Sequence, residues 1–147
     1  MTPTTGYGNL LANGWVNLKI SLRHAGLSDV GRQREVNEDS FCAIPQFGLF
    51  VVADGMGGHK AGDVASKMAT EAIAQFFTDT EGEDSTWPFH FDPQRSYEEN
   101  RLLAGVKLAN RRIYEASIDN LEVQGMGTTV VSCVFASTSD KVYIGHV

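Results

Sequence analysis

The stretch "VVADGMGGHKAGDVAS", residues 51–66, constrains the fold more than any other part of the sequence. An apolar run typical of a buried strand ends at Asp54, and a glycine-rich segment follows it. From Ala61 onward, apolar residues recur at the spacing of an amphipathic helix, with Asp63 near its first turn. The sequence therefore predicts a strand, a glycine-rich connection and a helix that packs on a sheet, with Asp54 at the end of the strand.

Two interpretations of Asp54 are open from these residues alone. An aspartate followed by a glycine is a common signal for a tight turn. Alternatively, a rigidly held carboxylate beside glycines lets backbone carbonyls and water approach a small, hard cation that prefers oxygen ligands. Spacing excludes two phosphate-loop patterns, because Lys60 stands where a dinucleotide fingerprint needs glycine and no hydroxyl residue follows that lysine as a P-loop requires.

The rest of the chain alternates between strands and helices, without internal repeats. Alternating apolar residues predict strands, helical spacing predicts a second helix, and Pro or Gly residues mark the turns. The predicted elements are a half-buried strand from Asn17 in "NLKISLRHAG", a hairpin of "SFCAI" and "GLFVVAD", a surface loop at 78–96, a helix through Leu102 to Ile113, and a hairpin of "GTTVVSCVFA" and "KVYIGHV".

The composition fits one soluble domain with a core, since 42% of the 147 residues are hydrophobic and 20% are charged. A formal net charge of -6 argues against nucleic acid or an anionic membrane as a partner. No apolar stretch reaches membrane-spanning length and no signal peptide is apparent, so we expect a cytoplasmic location. Cys42 and Cys133 lack the spacing of a metal or disulfide framework, and we expect both to be buried apolar residues.

A second polar cluster, "SDVGRQREVNEDS" at residues 28–40, lies just before a predicted strand. Arg34 has the planar fork that binds phosphate, and Glu38 and Asp39 are acids of the kind that hold metal-bound water. Such a mixture of charges is otherwise a solvated loop. Its occurrence together with the Asp54 stretch favours a shared functional site.

The aromatic segment "STWPFHF", residues 85–91, has two interpretations. Trp87, Phe89 and Phe91 form either an exposed anchor for a partner or a cluster that folds back onto its own domain. The second interpretation is favoured because exposed apolar patches are uncommon on soluble domains.

Three motifs, "DVGRQREVNEDS", "VVADGMGGHKAGDVAS" and "GMGTTVV", occur in an order and spacing that resemble the metal-dependent serine/threonine protein phosphatases of the PP2C (PPM) family, in their bacterial form. The resemblance covers the chain from about Ser21 to Val147. It implies an α+β fold, an antiparallel β-sandwich flanked by α-helices in αββα layers, here incomplete at the C-terminus. Residues 17–147 would form the N-terminal part of a phosphatase domain, and residues 1–16 an extension that we expect to be flexible.

The resemblance also implies a metal site. Asp54 matches the aspartate that bridges two Mg²⁺ or Mn²⁺ ions, and Gly55 matches the glycine whose carbonyl coordinates one of them. Glu38 and Asp39 match acids that act near the metals, largely through bound water. These four residues would form the metal-binding part of the chain.

The implied reaction is the hydrolysis of phosphoserine and phosphothreonine in proteins by water that two metal ions activate, without a protein nucleophile. Arg34 matches the arginine that grips the substrate phosphate. His59 lies where bacterial members carry a histidine near the pocket, and it either aids proton transfer or is a surface residue. Residues 127–129 match the start of a core strand. The implied substrates are phosphorylated proteins in bacterial signalling, including a serine/threonine kinase and its targets.

The sequence departs from the family pattern after "YIGHV". Family members continue with a Gly-Asp-Ser-Arg stretch and later supply two further aspartates to the metal site. We therefore expect the 147-residue chain alone to lack part of the metal site, to be inactive and to self-associate. The alternative is a non-catalytic PP2C-like regulatory or interaction module, against which the retained acids and Arg34 argue.

Overall fold

The computed structural model describes residues 4–9, 21–56, 61–82, 87–137 and 139–147. These residues form two antiparallel sheets and two long helices, so the predicted α+β class is confirmed. The strands are β1 (Thr4–Asn9), β2 (Ser21–Gly26), β3 (Asp39–Ile44), β4 (Leu49–Met56), β5 (Gly127–Phe135) and β6 (Val142–His146), and the helices are α1 (Ala61–Asp79) and α2 (Tyr97–Asp119).

The larger sheet has the strand order β3-β4-β5-β6, and β1 pairs with β2 in a separate two-stranded sheet. Both predicted hairpins, β3–β4 and β5–β6, are confirmed. A short 3-10 turn at Pro45–Phe47 joins β3 to β4, and Gly48 follows it with a φ of 62°. That left-handed backbone favours glycine, which explains how the segment "PQFG" reverses the chain.

The four-stranded sheet has two different faces, because successive side chains of a strand point to opposite sides. Leu49, Val51 and Ala53 of β4 are buried, and α1 and α2 cover this face. Val52 and Asp54 point to the opposite face and are exposed. We call the first the helix face and the second the open face.

The helix face carries the core. Helix α1 presents Ala65, Ala69 and Ala72 to its neighbours, and these small side chains let it approach the sheet closely. Ile73 and Phe77, both fully buried, fill the remaining space. The predicted amphipathic helix is therefore confirmed, and its apolar side is covered by β3, β4, β5 and α2.

On the open face, β2 lies over β3 and β4. The His24 ring meets the Phe50 ring edge-on with centroids 5.4 Å apart. A Cβ atom added to Gly26 would collide with the ring of Phe41. The two-stranded sheet therefore contacts part of the open face, which is the side on which a sandwich places its second sheet.

The aromatic segment folds back onto the domain, which confirms the favoured interpretation. The Trp87 ring lies 5.7 Å from Phe76 of α1 and 5.4 Å from Tyr97 of α2. Helix α2 begins at a capping box in which the Ser96 side chain accepts from the N–H of Glu99 and the Glu99 side chain accepts from the N–H of Ser96.

Arg101 of α2 is buried beside this segment. Its guanidinium lies 4.4 Å from the ring centroid of Phe77 and 4.9 Å from that of Phe47. It donates to Thr80 Oγ1 at 3.0 Å and to the carbonyl of Phe77. Burial lowers the pKa of Arg101. A buried cation thus ties α2 to the end of α1 through aromatic faces and neutral acceptors.

Two features of the strands were not predicted from the sequence. Residues 4–9 form β1 and pair with β2, while the flexibility of the extension at residues 1–16 remains a prediction. The strand β4 also continues past Asp54 to Met56, because Gly55 and Met56 pair with Thr128 and Gly127 of β5. Pairing with a distant strand replaces the turn that the Asp-Gly pair indicates locally. The predicted start of β2 at Asn17 lies outside the described residues.

Within the part of the chain that the structure describes, neither helix has the length and apolar character needed to cross a membrane.

Candidate metal site

Asp39 and Asp54 form the centre of the candidate site. Asp39 is the first residue of β3, and it lies directly opposite Asp54 in the antiparallel register. Both side chains therefore project from the open face, and both residues are exposed. Two like charges placed directly opposite one another destabilise a sheet. A bound cation is the natural means of relieving that repulsion.

Gly55 is required by close packing and not by a turn. Its N–H donates to the carbonyl of Glu38 at 3.0 Å. A Cβ atom at Gly55 would overlap the carbonyl oxygen of Gly62 and would lie 2.8 Å from the carbonyl oxygen of Glu38. The first turn of α1 is therefore in backbone contact with β4 immediately beside Asp54, and Asp54 and Gly55 themselves lie in β4 and not in a turn.

Gly62 is a site residue to which the sequence analysis assigned no role. A Cβ atom there would lie 2.6 Å from Glu38 Oε1, so the Glu38 carboxylate packs directly against the first turn of α1. A carboxylate is stabilised near a helix N-terminus. The available signal was a glycine inside a predicted helix, which costs about 1 kcal/mol relative to alanine and therefore indicates a packing requirement.

Arg34 lies at the edge of the site. Its Nη1 is 3.8 Å from Glu38 Oε2, and its side chain is 67% exposed whereas that of Glu38 is 18% exposed. An exposed ion pair of this length contributes little to stability. The guanidinium therefore remains accessible to an incoming anion while it stays next to the acidic residues.

A cavity of about 800 Å³ lies between β2 and the β3–β4 pair, and its lining includes Asp39, Asp54, Phe50 and His24. The Nδ1 atom of His24 is buried and has no hydrogen-bond partner in the described residues. Strand alternation alone does not distinguish His24 from its neighbours, so its place in this cavity was not predicted. A cavity with two carboxylates and an unpaired nitrogen is polar enough to hold water.

The described residues fit part of a site for a hydrated Mg²⁺ or Mn²⁺ ion. Carboxylates are the hard oxygen ligands that these cations prefer, and Asp39 and Asp54 supply two on one face. Among the residues described, however, no three side chains of Asp, Glu, His or Cys converge closely enough to hold an ion. The Glu38 carboxylate does not complete such a group with the other two. His59 lies outside the described residues.

The remaining expectations for this region concern the start of β5 and the cysteines. The strand begins at Gly127 as predicted, and Thr129, opposite Asp54, donates to the Asp54 carbonyl at 3.4 Å.

Cys42 and Cys133 are free and partly buried. Burial raises the pKa of Cys42 to about 11 and also raises that of Cys133, so neither thiol is suited to act as a nucleophile at neutral pH.

Comparison with known proteins agrees with this geometry. A profile of the family "Protein phosphatase 2C" matches residues 31–147. The serine/threonine protein phosphatase PstP of Mycobacterium tuberculosis is 36% identical over 117 residues, which are 80% of this chain and 20% of PstP. The serine/threonine phosphatase stp of Listeria monocytogenes is 34% identical over 119 residues, 76% of this chain and 42% of that protein.

A solved structure of the catalytic domain of PstP in complex with two manganese ions has a TM-score of 0.65 and 29% sequence identity. The match covers 99% of this chain and 49% of that domain. This chain therefore spans less than half of the length of the relatives and of the solved domain that it matches.

Proposed function

The chain belongs to the protein phosphatase 2C family, and we propose that it forms part of an enzyme that hydrolyses phosphoserine and phosphothreonine in proteins. The observation that carries this proposal is the pair Asp39 and Asp54, held opposite one another on the open face beside the Gly55–Gly62 contact. This pair belongs to the segment that the family profile matches. It supplies two acids at one point of a rigid sheet, as a cation site requires.

In this proposal, Asp54 and the carbonyl of Gly55 hold metal directly, and Glu38 and Asp39 act near it through water. The cation is Mg²⁺ or Mn²⁺, and the two manganese ions of the PstP structure support a pair of ions. When bound, such ions lower the pKa of water and neutralise charge on phosphate. The protein contributes fixed carboxylates, and the backbone contact between Gly55 and Gly62 keeps them in place.

Arg34 is proposed to bind the substrate phosphate, because its guanidinium is exposed and lies beside the acids. His59 is proposed to assist proton transfer. The substrates are phosphorylated proteins, as the names of the phosphatase relatives suggest, and they include a serine/threonine kinase and its targets. A cytoplasmic location also remains a prediction from the sequence.

A chimera tests the proposed reaction. This chain is joined to the remaining half of the PstP catalytic domain, and the product is assayed for Mn²⁺-dependent hydrolysis of p-nitrophenyl phosphate and of a phosphothreonine peptide. We expect turnover that Asp54→Asn abolishes. Arg34→Ala should raise KM more than it lowers kcat, because a phosphate contact is made in both the ground state and the transition state.

Lys107→Ala, which changes an exposed residue of α2, serves as the control and should leave both constants unchanged. Full turnover by the Asp54→Asn chimera would refute the assignment of Asp54. An unchanged KM in the Arg34→Ala chimera would place Arg34 outside the phosphate pocket.

A further inference from the structure

Asn37 lies in the loop between β2 and β3, and its side chain bonds to both sides of that loop. Its Nδ2 donates to Ser28 Oγ at 2.6 Å, nine residues back along the chain. Its Oδ1 accepts from the N–H of Asp39 at 3.0 Å. A single amide group therefore closes the loop and fixes the backbone at the point where the loop enters β3.

Glu38 lies between Asn37 and Asp39, whose backbone is fixed by the Asn37 amide. Its carbonyl accepts from the N–H of Gly55, its carboxylate packs against Gly62, and its Oε2 is 3.8 Å from Arg34. Each of these contacts depends on the orientation of the peptide units at residues 37–39. A change of backbone there would move Glu38 relative to β4, to α1 and to Arg34 together.

The side-chain amide of Asn37 is hydrogen-bonded to its neighbours. It is half-buried, and it lines a cavity of about 450 Å³ together with Asp39 and Asp63. Its two described hydrogen bonds already use one N–H and the amide oxygen. The amide oxygen of Asn37 therefore accepts from the backbone N–H of Asp39, whose carboxylate is a candidate metal ligand.

We propose that Asn37 is a positioning residue that holds Glu38 and Asp39 in the geometry needed for cation binding. This inference rests on the proposed function, because it assigns to Glu38 and Asp39 their role near the metal. Partners that orient metal-site acids change metal affinity about 10-fold to 100-fold when they are removed. The side chain of Asn37 acts through Glu38 and Asp39 and does not itself contact the cation.

Three variants separate hydrogen bonding from volume. Asn37→Leu keeps the size of the side chain and removes both hydrogen bonds. Asn37→Asp keeps an acceptor for the Asp39 N–H, and its second oxygen can accept from the Ser28 hydroxyl. Ser28→Ala removes the bond that closes the loop and keeps the one to Asp39.

Two measurements are made on the 147-residue chain. Hydrogen exchange followed by mass spectrometry with residue-level fragmentation reports the amides of Asp39 and Gly55, and it tolerates self-association. Electron paramagnetic resonance of free Mn²⁺ reports metal affinity. We expect Asn37→Leu to speed exchange at both amides and to weaken Mn²⁺ binding, each by about tenfold. Amides of α1 and α2 should exchange as in the wild type.

Asn37→Asp should restore protection at both amides, and Ser28→Ala should have a smaller effect than Asn37→Leu. Combining Ser28→Ala with Asn37→Leu should add nothing, because the two residues share one bond. Unchanged exchange at Asp39 and Gly55 in Asn37→Leu would overturn the proposal, as would faster exchange across the whole sheet or a failure of Asn37→Asp to restore protection. If neither the wild-type chain nor its chimera with the remaining half of the PstP catalytic domain binds Mn²⁺, the proposed function fails, and the exchange data still decide whether Asn37 positions these residues.

Discussion

The two faces of the four-stranded sheet carry different kinds of residue, although the same strands build both. On the helix face, β4 presents Leu49, Val51 and Ala53, which are at most 1% exposed. On the open face, the same strand presents Phe50, which contacts His24, Val52, which is 57% exposed, and Asp54. One strand therefore contributes to the core with every other residue and presents the candidate site with the residues between.

This difference separates stability from function along a single strand. The burial of apolar side chains on the helix face supplies most of the folding free energy. The opposed carboxylates of Asp39 and Asp54 cost folding free energy in the absence of a cation. We therefore expect substitutions at the helix face to change stability and substitutions of the open-face acids to change metal binding.

The largest effect on stability is expected at Gly55, where the two regions meet. In Gly55→Ala the new methyl group would overlap the Gly62 carbonyl, and backbone on both sides would have to move. We expect a loss of about 3 kcal/mol or more in the free energy of unfolding, measured by urea denaturation. The control is Gly127→Ala on the adjacent strand, where the new methyl meets only the Met56 side chain at 3.6 Å. Equal losses in the two variants would contradict the close-packing explanation.

A smaller loss is expected at Arg101, on the helix side of the molecule. Arg101→Ala removes two hydrogen bonds and the contacts of a buried guanidinium with the Phe77 and Phe47 rings. We expect a loss of about 2–3 kcal/mol by thermal or chemical unfolding. Arg111→Ala is the matched control, because Arg111 is exposed and stacks 5.3 Å from Phe89. A loss at Arg101 no larger than that at Arg111 would show that the buried guanidinium stabilises the fold no more than an exposed one does.

Cys42, which also faces the helices, predicts a dependence of stability on pH. Burial raises its pKa from 9.0 to about 11, so the folded state retains a proton that the unfolded state releases first. The stabilisation is complete below pH 9 and is lost as the pH rises toward 11, by about 2–3 kcal/mol. Cys42→Ala should show a flatter decline of the unfolding free energy across this range. An identical slope in the wild type and the variant would show that Cys42 does not cause the decline of stability in this pH range.

A substitution on the open face should change the self-association of the chain and leave its stability unchanged. Ile144 of β6 is 69% exposed, and Val131 beside it is 56% exposed. Such apolar patches promote contact between chains. Ile144→Lys should lower the average mass found by light scattering and leave the midpoint of unfolding unchanged. A monomeric wild-type chain would contradict the expected self-association.

The sequence predicts those parts of the fold whose signals are local. Strand alternation and the Pro-Gly turn predict β3 and β4, and helical spacing predicts α1. The strand β1 was not predicted, because "TTGYGN" contains two glycines and an asparagine, which are poor strand formers, and its pairing with β2 supplies the structure. The burial of Arg101 depends on Phe47 and Phe77, which are remote in sequence.

The candidate site divides in the same way. The motifs locate Asp39, Asp54 and Arg34 along the chain, and the strand register brings the first two together. The reason for glycine at position 55 was missed, because it is the approach of Gly62 from the first turn of α1. A glycine in a predicted helix indicates that something packs closely there, but the residue types do not identify the partner. The same holds for Asn37, whose bond to Ser28 spans a loop without regular structure.

Parallel measurement of Mn²⁺ affinity and thermal stability for Asp54→Asn tests the central claim most directly. We expect Mn²⁺ binding by the 147-residue chain to weaken by at least about tenfold, because hard-cation affinity depends on ligand charge. Without metal, the midpoint of unfolding should stay the same or rise slightly, because the substitution removes the repulsion with Asp39. We expect that Asp54 serves metal binding and does not stabilise the fold. Undiminished Mn²⁺ binding, or a clear fall in the metal-free midpoint of unfolding, would contradict this claim.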